Sequence, residues 1–426
     1  MSVDYHPMWQ ELGLDLEAHD ALLGVLGPLY AEVFLSQPRR PRGMDYFNFV
    51  MSEVHGLRIR ELLDHKAQGG FVVGTFCTFV PEELVLAAGG ICVGLCAGAE
   101  WSTPEVDALL PRTTCALIKG AFGFASARVC PYLAASDLVV GENTCDGKKK
   151  AWESFGRFVN DLHVMDMPQV KNEAGHTLLR EQYVLLRRRF EALGGRSITE
   201  ESLGAAIEVV NAKRRALARL QQLRGAEPAP ISGLDALLIQ QISFYDDPVR
   251  FTASVNALCD ELESRVAAGQ GIHEGRRPRL LMSGCPMAVP NWKLPRIVEE
   301  AGAVIVGEES CIGARGLRNL VEPSATTVEA QLDALTDRYL GIDCAIFTPN
   351  PGRLEHIREM SANQRVDGVI HFALPFCQPY QFEALQVEPV LEGEGLPVLR
   401  IDTDYSPEDA GQLATRVEAF LERLAD

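Results

Sequence analysis

Short apolar runs alternate with longer amphipathic stretches along most of this chain, and the alternation sets the first expectations of its fold. Residues 1–65 stand apart. There LEAHDALLGVLGPLYAEVF and FNFVMSEVHGLRIRELLDHKAQ repeat apolar residues about every 3.6 positions, which predicts helices separated by the turn-prone SQPRRPRG. In residues 66–173, FVVGTF, ICVGLC, DLVVGE and LHVMDM predict strands, and PEELVLAAGG predicts a helix with Pro81 near its start and glycine at its end. Residues 174–277 read as a helical connecting region, through LLRRRF, NAKRRALARLQQLR, GLDALLIQQISFY and FTASVNALCDELESRVAAG, up to the linker GIHEGRRPR. The alternation resumes over 278–426 with RLLMSG, AVIVGE, CAIFTP, VDGVIHFAL and VLRID, and closes on the amphipathic PEDAGQLATRVEAFLERLA. The expected class is α/β: two lobes with mostly parallel, Rossmann- or flavodoxin-like sheets facing a cleft, plus the two helical segments.

Charge and composition narrow the chemistry. A length of 426 residues allows two or three domains with sizeable cores. A formal net charge of −18 argues against a nucleic-acid or membrane-surface binder. No apolar run in the sequence approaches the ~18–20 residues that span a bilayer. The start, MSVDYHPMWQELGLDLEAHD, lacks a basic region followed by an apolar one, so the expected location is the cytoplasm, where thiols stay reduced. Eleven cysteines in such a compartment call for a role other than crosslinking.

Those cysteines fall where parallel strands should end. Cys77 closes FVVGTFC, Cys96 closes ICVGLC, Cys145 follows DLVVGENT, Cys285 follows RLLMSG, Cys311 follows AVIVGEES and Cys377 follows GVIHFALPF, while Cys115 stands in LPRTTCALIKG. Ligands of open α/β sheets collect beyond the carboxyl ends of the strands. Soft thiolates suit iron–sulfur clusters and zinc alike, but structural zinc sites use paired CxxC knuckles, and here Cys92 and Cys96 form the one close pair. A site assembled from thiols this scattered needs both lobes. Flanking Gly, Pro and Asp mark Cys77, Cys115, Cys145, Cys285, Cys311 and Cys377 as loop residues and the preferred ligands. Cys259, inside VNALCDELE, Cys92, inside ICVG, Cys344, at the head of CAIF, and Cys130, before Pro131, read as structural.

Other chemistries fit poorly. GENTCDGKKK resembles a phosphate-binding P-loop, but five residues separate Gly141 from Gly147, and Lys149 stands where Ser or Thr is needed. Gly147 is expected to support a turn near Cys145, with the three lysines opening the next helix. They would offset charge at an anionic centre, attract an acidic partner, or form a solvated helix end. GLCAGAE lacks the glycine pattern of a dinucleotide fingerprint, and nine scattered histidines without a G-x-S-x-G elbow give no hydrolase triad. The basic run from Lys213 to Arg219 reads as a surface face. As general acids, His371, on the strand leading to Cys377, and Glu308 or Glu309, just before Cys311, are the candidates.

GTFCTFVPEELVLAAGG, LPRTTCALIKGAFGFA, CPYLAASDLVVGENTCDGKKKAWE, LMSGCP, VGEESCIGARG and FCQPY resemble the 2-hydroxyacyl-CoA dehydratase/benzoyl-CoA reductase superfamily, and within it the double-cubane cluster proteins. The likeness runs from about residue 65 to the C-terminal helix. In the dehydratases three cysteines hold a [4Fe-4S] cluster, and Cys115, Cys145 and Cys377 match them by order and flanking sequence. The double-cubane branch holds an [8Fe-9S] cluster through six cysteines in each subunit of a homodimer, which implies Cys77, Cys285 and Cys311 as further ligands. Cys96 competes with Cys77 and Cys285. The resemblance implies ATP-dependent, low-potential reduction of a small molecule, with electrons from a separate iron–sulfur ATPase. Two alternatives stand beside it: a dehydratase or aroyl-CoA reductase subunit with one [4Fe-4S] cluster, and an electron-transfer protein without a substrate.

Overall fold

The computed structural model describes residues 3–425, so the outermost limits expected at 1 and 426 lie outside the described residues. Among the described residues eight strands form two four-stranded, all-parallel sheets. In the first, β1 (Phe71–Thr75), β2 (Gly90–Gly94), β3 (Leu138–Glu142) and β4 (Leu162–Met165) lie in the order β2-β1-β3-β4. In the second, β5 (Arg279–Gly284), β6 (Val304–Glu309), β7 (Gly368–Ala373) and β8 (Val398–Asp402) lie in the order β6-β5-β7-β8. The two orders are the same winding used twice. Each central strand is paired on both sides: Val73 lies between Cys92 and Leu138, and Met282 between Glu308 and Ile370. Helices cover both faces, which is why these strands read as continuous apolar runs rather than alternating ones. In each sheet the chain steps outward to one neighbour and then crosses to the other side. That reversal opens a crevice at the carboxyl ends of β1 and β3, and of β5 and β7.

The apolar run CAIFTP, expected as a strand, is turn and loop. Both edges of β5 are already taken by β6 and β7, and the Cys344 carbonyl is used locally, accepting from Phe347 N–H at 3.1 Å and from the Asn350 amide at 3.0 Å. Its apolar side chains still find a core, because Phe347 packs edge-on against Phe79 at 6.0 Å between ring centroids. The loop therefore reaches from the second sheet's sequence into the first lobe.

The N-terminal segment is helical, as its periodicity predicts, with two differences. Leu16–Tyr30 runs on into a π-helical turn, Ala31–Leu35, just after Pro28, whose missing N–H leaves the ladder one donor short. Together Leu16–Leu35 makes 20 residues of mean hydropathy 1.2, long and apolar enough by length and composition to cross a membrane, contrary to the expectation from the sequence. Its inward side docks on the protein, with Phe34 edge-on to Trp292 at 4.8 Å and His19 bonded to His55 at 3.0 Å. The second stretch splits into Met44–Ser52 and Leu57–Ala67. The Glu53 carboxylate stabilises the break by accepting from Leu57 N–H at 3.2 Å and Tyr5 Oη at 2.6 Å.

Helices Glu173–Gly194, Glu200–Leu223, Gly233–Ile242 and Pro248–Ala267 occupy the connecting region. The basic run read as a surface face is only partly one. Arg219 pairs with Asp260 and Glu263 at the surface, whereas Lys213 and Arg214 are buried against Glu82 and Glu83 at the start of the helix Glu82–Ala87. Gly98 brings the lobes into direct contact. Its N–H donates to Val289 C=O at 2.9 Å, and a Cβ there would stand 1.9 Å from the Ala288 carbonyl oxygen.

Candidate functional site

The carboxyl ends of both sheets face one cavity of about 1410 Å³. Eight thiols line it. Cys77 and Cys96 come from the ends of β1 and β2, Cys145 follows β3, and Cys115 precedes a helix between them. Cys285, Cys311 and Cys377 follow β5, β6 and β7, and Cys344 arrives on the loop that replaces the expected strand. All six preferred cysteines and Cys96 are thus brought together. Cys344, read from the sequence as structural, joins them, while Cys92, Cys130 and Cys259 do not line the cavity. The signal for Cys344 was present in the adjoining prolines Pro349 and Pro351, which mark a loop as plainly as those beside the other thiols.

Local structure prepares several of these sulfurs. Cys115, Cys145 and Cys377 each occupy the cap position before a helix: Ala116–Ser126, Asp146–Phe155 and Gln378–Gly393. Unpaired N–H groups and the helix dipole favour a thiolate there. Gly147 accordingly lies in the first turn of a helix rather than in a phosphate loop. Gly284, with φ +133°, lets β5 turn beside β7, where a Cβ would stand 1.9 Å from Phe372 C=O. The next residue, Cys285, then donates its N–H to that carbonyl at 3.0 Å, and its sulfur accepts from Leu374 N–H at 3.4 Å. Phe376 takes a left-handed φ of 66° just before Cys377, a conformation that costs a non-glycine residue about 1–3 kcal/mol.

The sulfurs fall into two strings. In one, Cys311 sits between Cys344 and Cys77. Hydrogen bonds from these two thiols, helped by the Arg315 guanidinium, hold the Cys311 thiol well below its usual range, while the same contacts push Cys77 and Cys344 up. In the other string Cys377 meets Cys115 and Cys285. The Cys115 contact lowers the Cys377 thiol, but Cys285 and burial outweigh it and raise it, and Cys115 is raised by its bond to Cys377 and by burial. Cys96 stands apart, its thiol donating to Phe76 C=O at 2.9 Å and pushed up by burial to about 12.

Two buried cations face the thiols. Arg315 Nη1 donates to Cys311 Sγ at 3.3 Å and to Tyr380 Oη, while Nε and Nη2 hold Glu309 Oε1 at 2.8 and 2.7 Å. Lys148 lies 3.5 Å from Glu142 Oε2 and stays protonated despite burial, through the fields of Glu142, Cys77, Cys96 and Cys145. Of the three lysines after Cys145, this one turns inward, whereas Lys149 and Lys150 are exposed.

The three general-acid candidates do not line the cavity. Glu308 is bonded to Arg224 at 2.7 Å in the core. Glu309 bridges Arg315, Arg353 at 3.1 Å and Ser283 at 2.7 Å; burial alone would raise its carboxyl, but Arg315 and Arg353 hold it below the usual range, so it is an anion. His371 is fully buried with Nε2 3.1 Å from Tyr380 C=O, and burial lowers it to about 3. These places give them supporting work: Glu309 fixes Arg315, and neutral His371 donates to the turn carrying Tyr380. Among the described residues no three Cys, His, Asp or Glu side chains converge as ligands of a single ion do.

Comparison with known proteins places this geometry. The family described as 2-hydroxyglutaryl-CoA dehydratase, D-component, matches residues 77–424. A provisionally named dehydratase subunit, YjiM, of Escherichia coli (strain K12) is 38% identical over 380 residues, covering 88% of this chain and 96% of its own. The (R)-phenyllactyl-CoA dehydratase beta subunit of Clostridium sporogenes is 27% identical over 85% of this chain and 94% of its own. A benzoyl-CoA reductase subunit of Thauera aromatica is 22% identical over 73% and 80%. The matched span begins at the first cavity thiol, Cys77, and includes every other thiol that lines the cavity. On that coverage, the chain belongs to the 2-hydroxyglutaryl-CoA dehydratase D-component family.

Proposed function

We propose that this chain is the cluster-bearing component of a low-potential reductase. It would hold a double-cubane [8Fe-9S] cluster, take electrons from a separate ATP-hydrolysing iron–sulfur protein, and work as a homodimer on a small molecule. One observation carries the reading: eight thiols drawn from both sheets converge on a single cavity, more than one ordinary cubane uses. An all-sulfur donor set spread around a wide cavity suits polynuclear iron, for which thiolate is the matching ligand. Cys115, Cys145 and Cys377 would hold one cubane. Cys77 and Cys311 would hold the second with a third thiol, and the contact with Cys311 favours Cys344 over Cys285, which sits against Cys377. When bound, such a cluster supplies single electrons at low potential. The chain's own part is to exclude water with Leu374 and Phe347, to offset thiolate charge with Arg315 and Lys148, and to bring backbone N–H groups to sulfur.

Iron and sulfide counting on anaerobically purified protein tests the proposal. About eight irons per chain is the expected result, and four would sink it. Cys344→Ser should lower the iron content, and Cys285→Ser should lower it less. Equal losses would return Cys285 to the second set.

The names of the relatives favour a second reading, a dehydratase or aroyl-CoA reductase subunit with a single [4Fe-4S] cluster on Cys115, Cys145 and Cys377. It predicts four irons per chain and turnover of a CoA thioester.

A further inference from the structure

The two thiol strings lie in unlike electrostatic surroundings. Around Cys311 the stabilising group is a full charge. Arg315 is completely buried, and its guanidinium is saturated: Nε on Glu309, Nη2 on Glu309 and on the Gly284 and Glu309 carbonyls, and Nη1 on Cys311 Sγ and Tyr380 Oη. Glu309 neutralises Arg315 in net charge but lies on the Nε side, so the positive end of the pair points at the sulfur. Tyr380 Oη accepts from Arg315, which leaves its own proton to donate, and the neighbouring acceptor is Cys344 Sγ at 3.9 Å. Arg315 and Arg353 flank the same ring at 5.2 and 5.1 Å.

Around Cys115, Cys285 and Cys377 the stabilising groups are neutral, and the cation near Cys145, Lys148, is paired with Glu142 and is felt more strongly by Cys77 and Cys96 than by Cys145. Cys115 and Cys377 rest on helix starts, and Cys285 accepts from the Leu374 amide. Hydrogen bonds to sulfur and nearby positive charge both stabilise the more reduced, more negative state of an iron–sulfur centre. A buried cation acts through little screening, so it outweighs the partial charge of a helix end.

We propose that the cavity is built to make the two halves of its cluster unequal: the half at Cys77, Cys311 and Cys344 takes the first electron because Arg315 and Tyr380 face it, and the half at Cys115, Cys145 and Cys377 stays at lower potential. The inference rests on the double-cubane reading. An incoming electron from a low-potential one-electron donor protein reduces the Arg315 half by one unit; no bond is made or broken and no proton is required. Arg315 and Tyr380 are positioning residues that act through the thiolates.

The test is an anaerobic redox titration of the purified holoprotein with a titanium(III) chelate, followed by electron paramagnetic resonance at low temperature, with iron counted on the same sample. The wild type should show two resolved reduction steps. Arg315→Met should lower the upper step and leave the lower one in place, with Arg315→Lys restoring part of the shift. Tyr380→Phe, which removes a single oxygen and tests the same half should Arg315→Met fail to fold, should lower the upper step by less. Equal movement of both steps, or no movement in either variant, overturns the proposal. Four irons per chain in the wild type would instead mark the failure of the double-cubane reading, independently of how the variants behave.

Discussion

Glu142 ends β3 in the first sheet, and Glu309 ends β6 in the second. Both are fully buried carboxylates at a strand rim, and both support a cavity thiol, yet they are held differently. Glu142 accepts from Cys77 N–H at 3.0 Å and meets one cation, Lys148, at 3.5 Å; burial outweighs that cation and pushes its carboxyl up. Glu309 meets two arginines and a serine hydroxyl, which overcome the same burial and keep it ionised. Neighbouring donors, rather than depth, decide whether a buried acid carries charge. Helix starts carry thiols in both lobes, Cys115 and Cys145 in the first and Cys377 in the second, but the network of one acid held by two arginines lies in the second lobe.

The largest effect should come from breaking that network. Glu309→Gln leaves Arg315 and Arg353 buried with a missing counter-charge and should cost about 3–5 kcal/mol in urea unfolding. Glu142→Gln should cost less, because it removes the partner of one cation, Lys148 at 3.5 Å, rather than of two arginines, and burial already raises its carboxyl. Equal losses would erase the contrast between the lobes.

Acid should also strike the second lobe harder. His371 is held neutral down to about pH 3, while the unfolded chain takes up that proton near pH 6.5. The stabilisation is complete above pH 6.5 and is lost as pH falls toward 3. Between pH 6.5 and 5 the loss is about 2 kcal/mol, measured as the wild-type change in unfolding free energy minus that of His371→Gln. His163, on β4 of the first sheet, is lowered by burial in the same direction but is partly exposed, so its substitution should remove less of the acid sensitivity.

The contact that joins the lobes is a further test. Gly98→Ala must displace the Ala288 carbonyl, and overpacking of this kind costs about 1–3 kcal/mol. Unfolding measurements should show that loss and, under the proposed cluster function, faster release of iron, since thiols from both sheets share the cavity. The smallest effect belongs to Lys150→Gln. Its pair with Glu153 is exposed on both sides, so stability should change by no more than about 0.5 kcal/mol, whereas Lys148→Gln, two residues earlier, should alter iron retention under the proposed cluster function.

Much of the site was legible because strand ends leave a local signature. An apolar run followed by Gly, Pro or Asp and then Cys places a thiol on the rim of a parallel sheet, and six thiols chosen that way all reach the cavity. The same rule misled where an apolar run was not a strand. CAIF reads like β6 or β7, but the Cys344 carbonyl is taken up locally by Phe347 N–H and the Asn350 amide, and Cys344 reached the cavity on a loop. Glu308, Glu309 and His371 were near cavity thiols in sequence, yet neighbouring positions on a strand point to opposite faces or into the core. Lys213 and Arg214 looked solvated until Glu82 and Glu83, over a hundred residues earlier, closed on them.

The sequence by itself determined the two windings of parallel sheet and the thiols at their rims, because apolar runs and the turn residues after them act over a few positions. Only the tertiary structure decided which thiols meet, which acids are charged and that Arg315 faces Cys311. Those outcomes depend on groups brought together from distant parts of the chain, where burial and a single opposing charge reverse what the local pattern suggests.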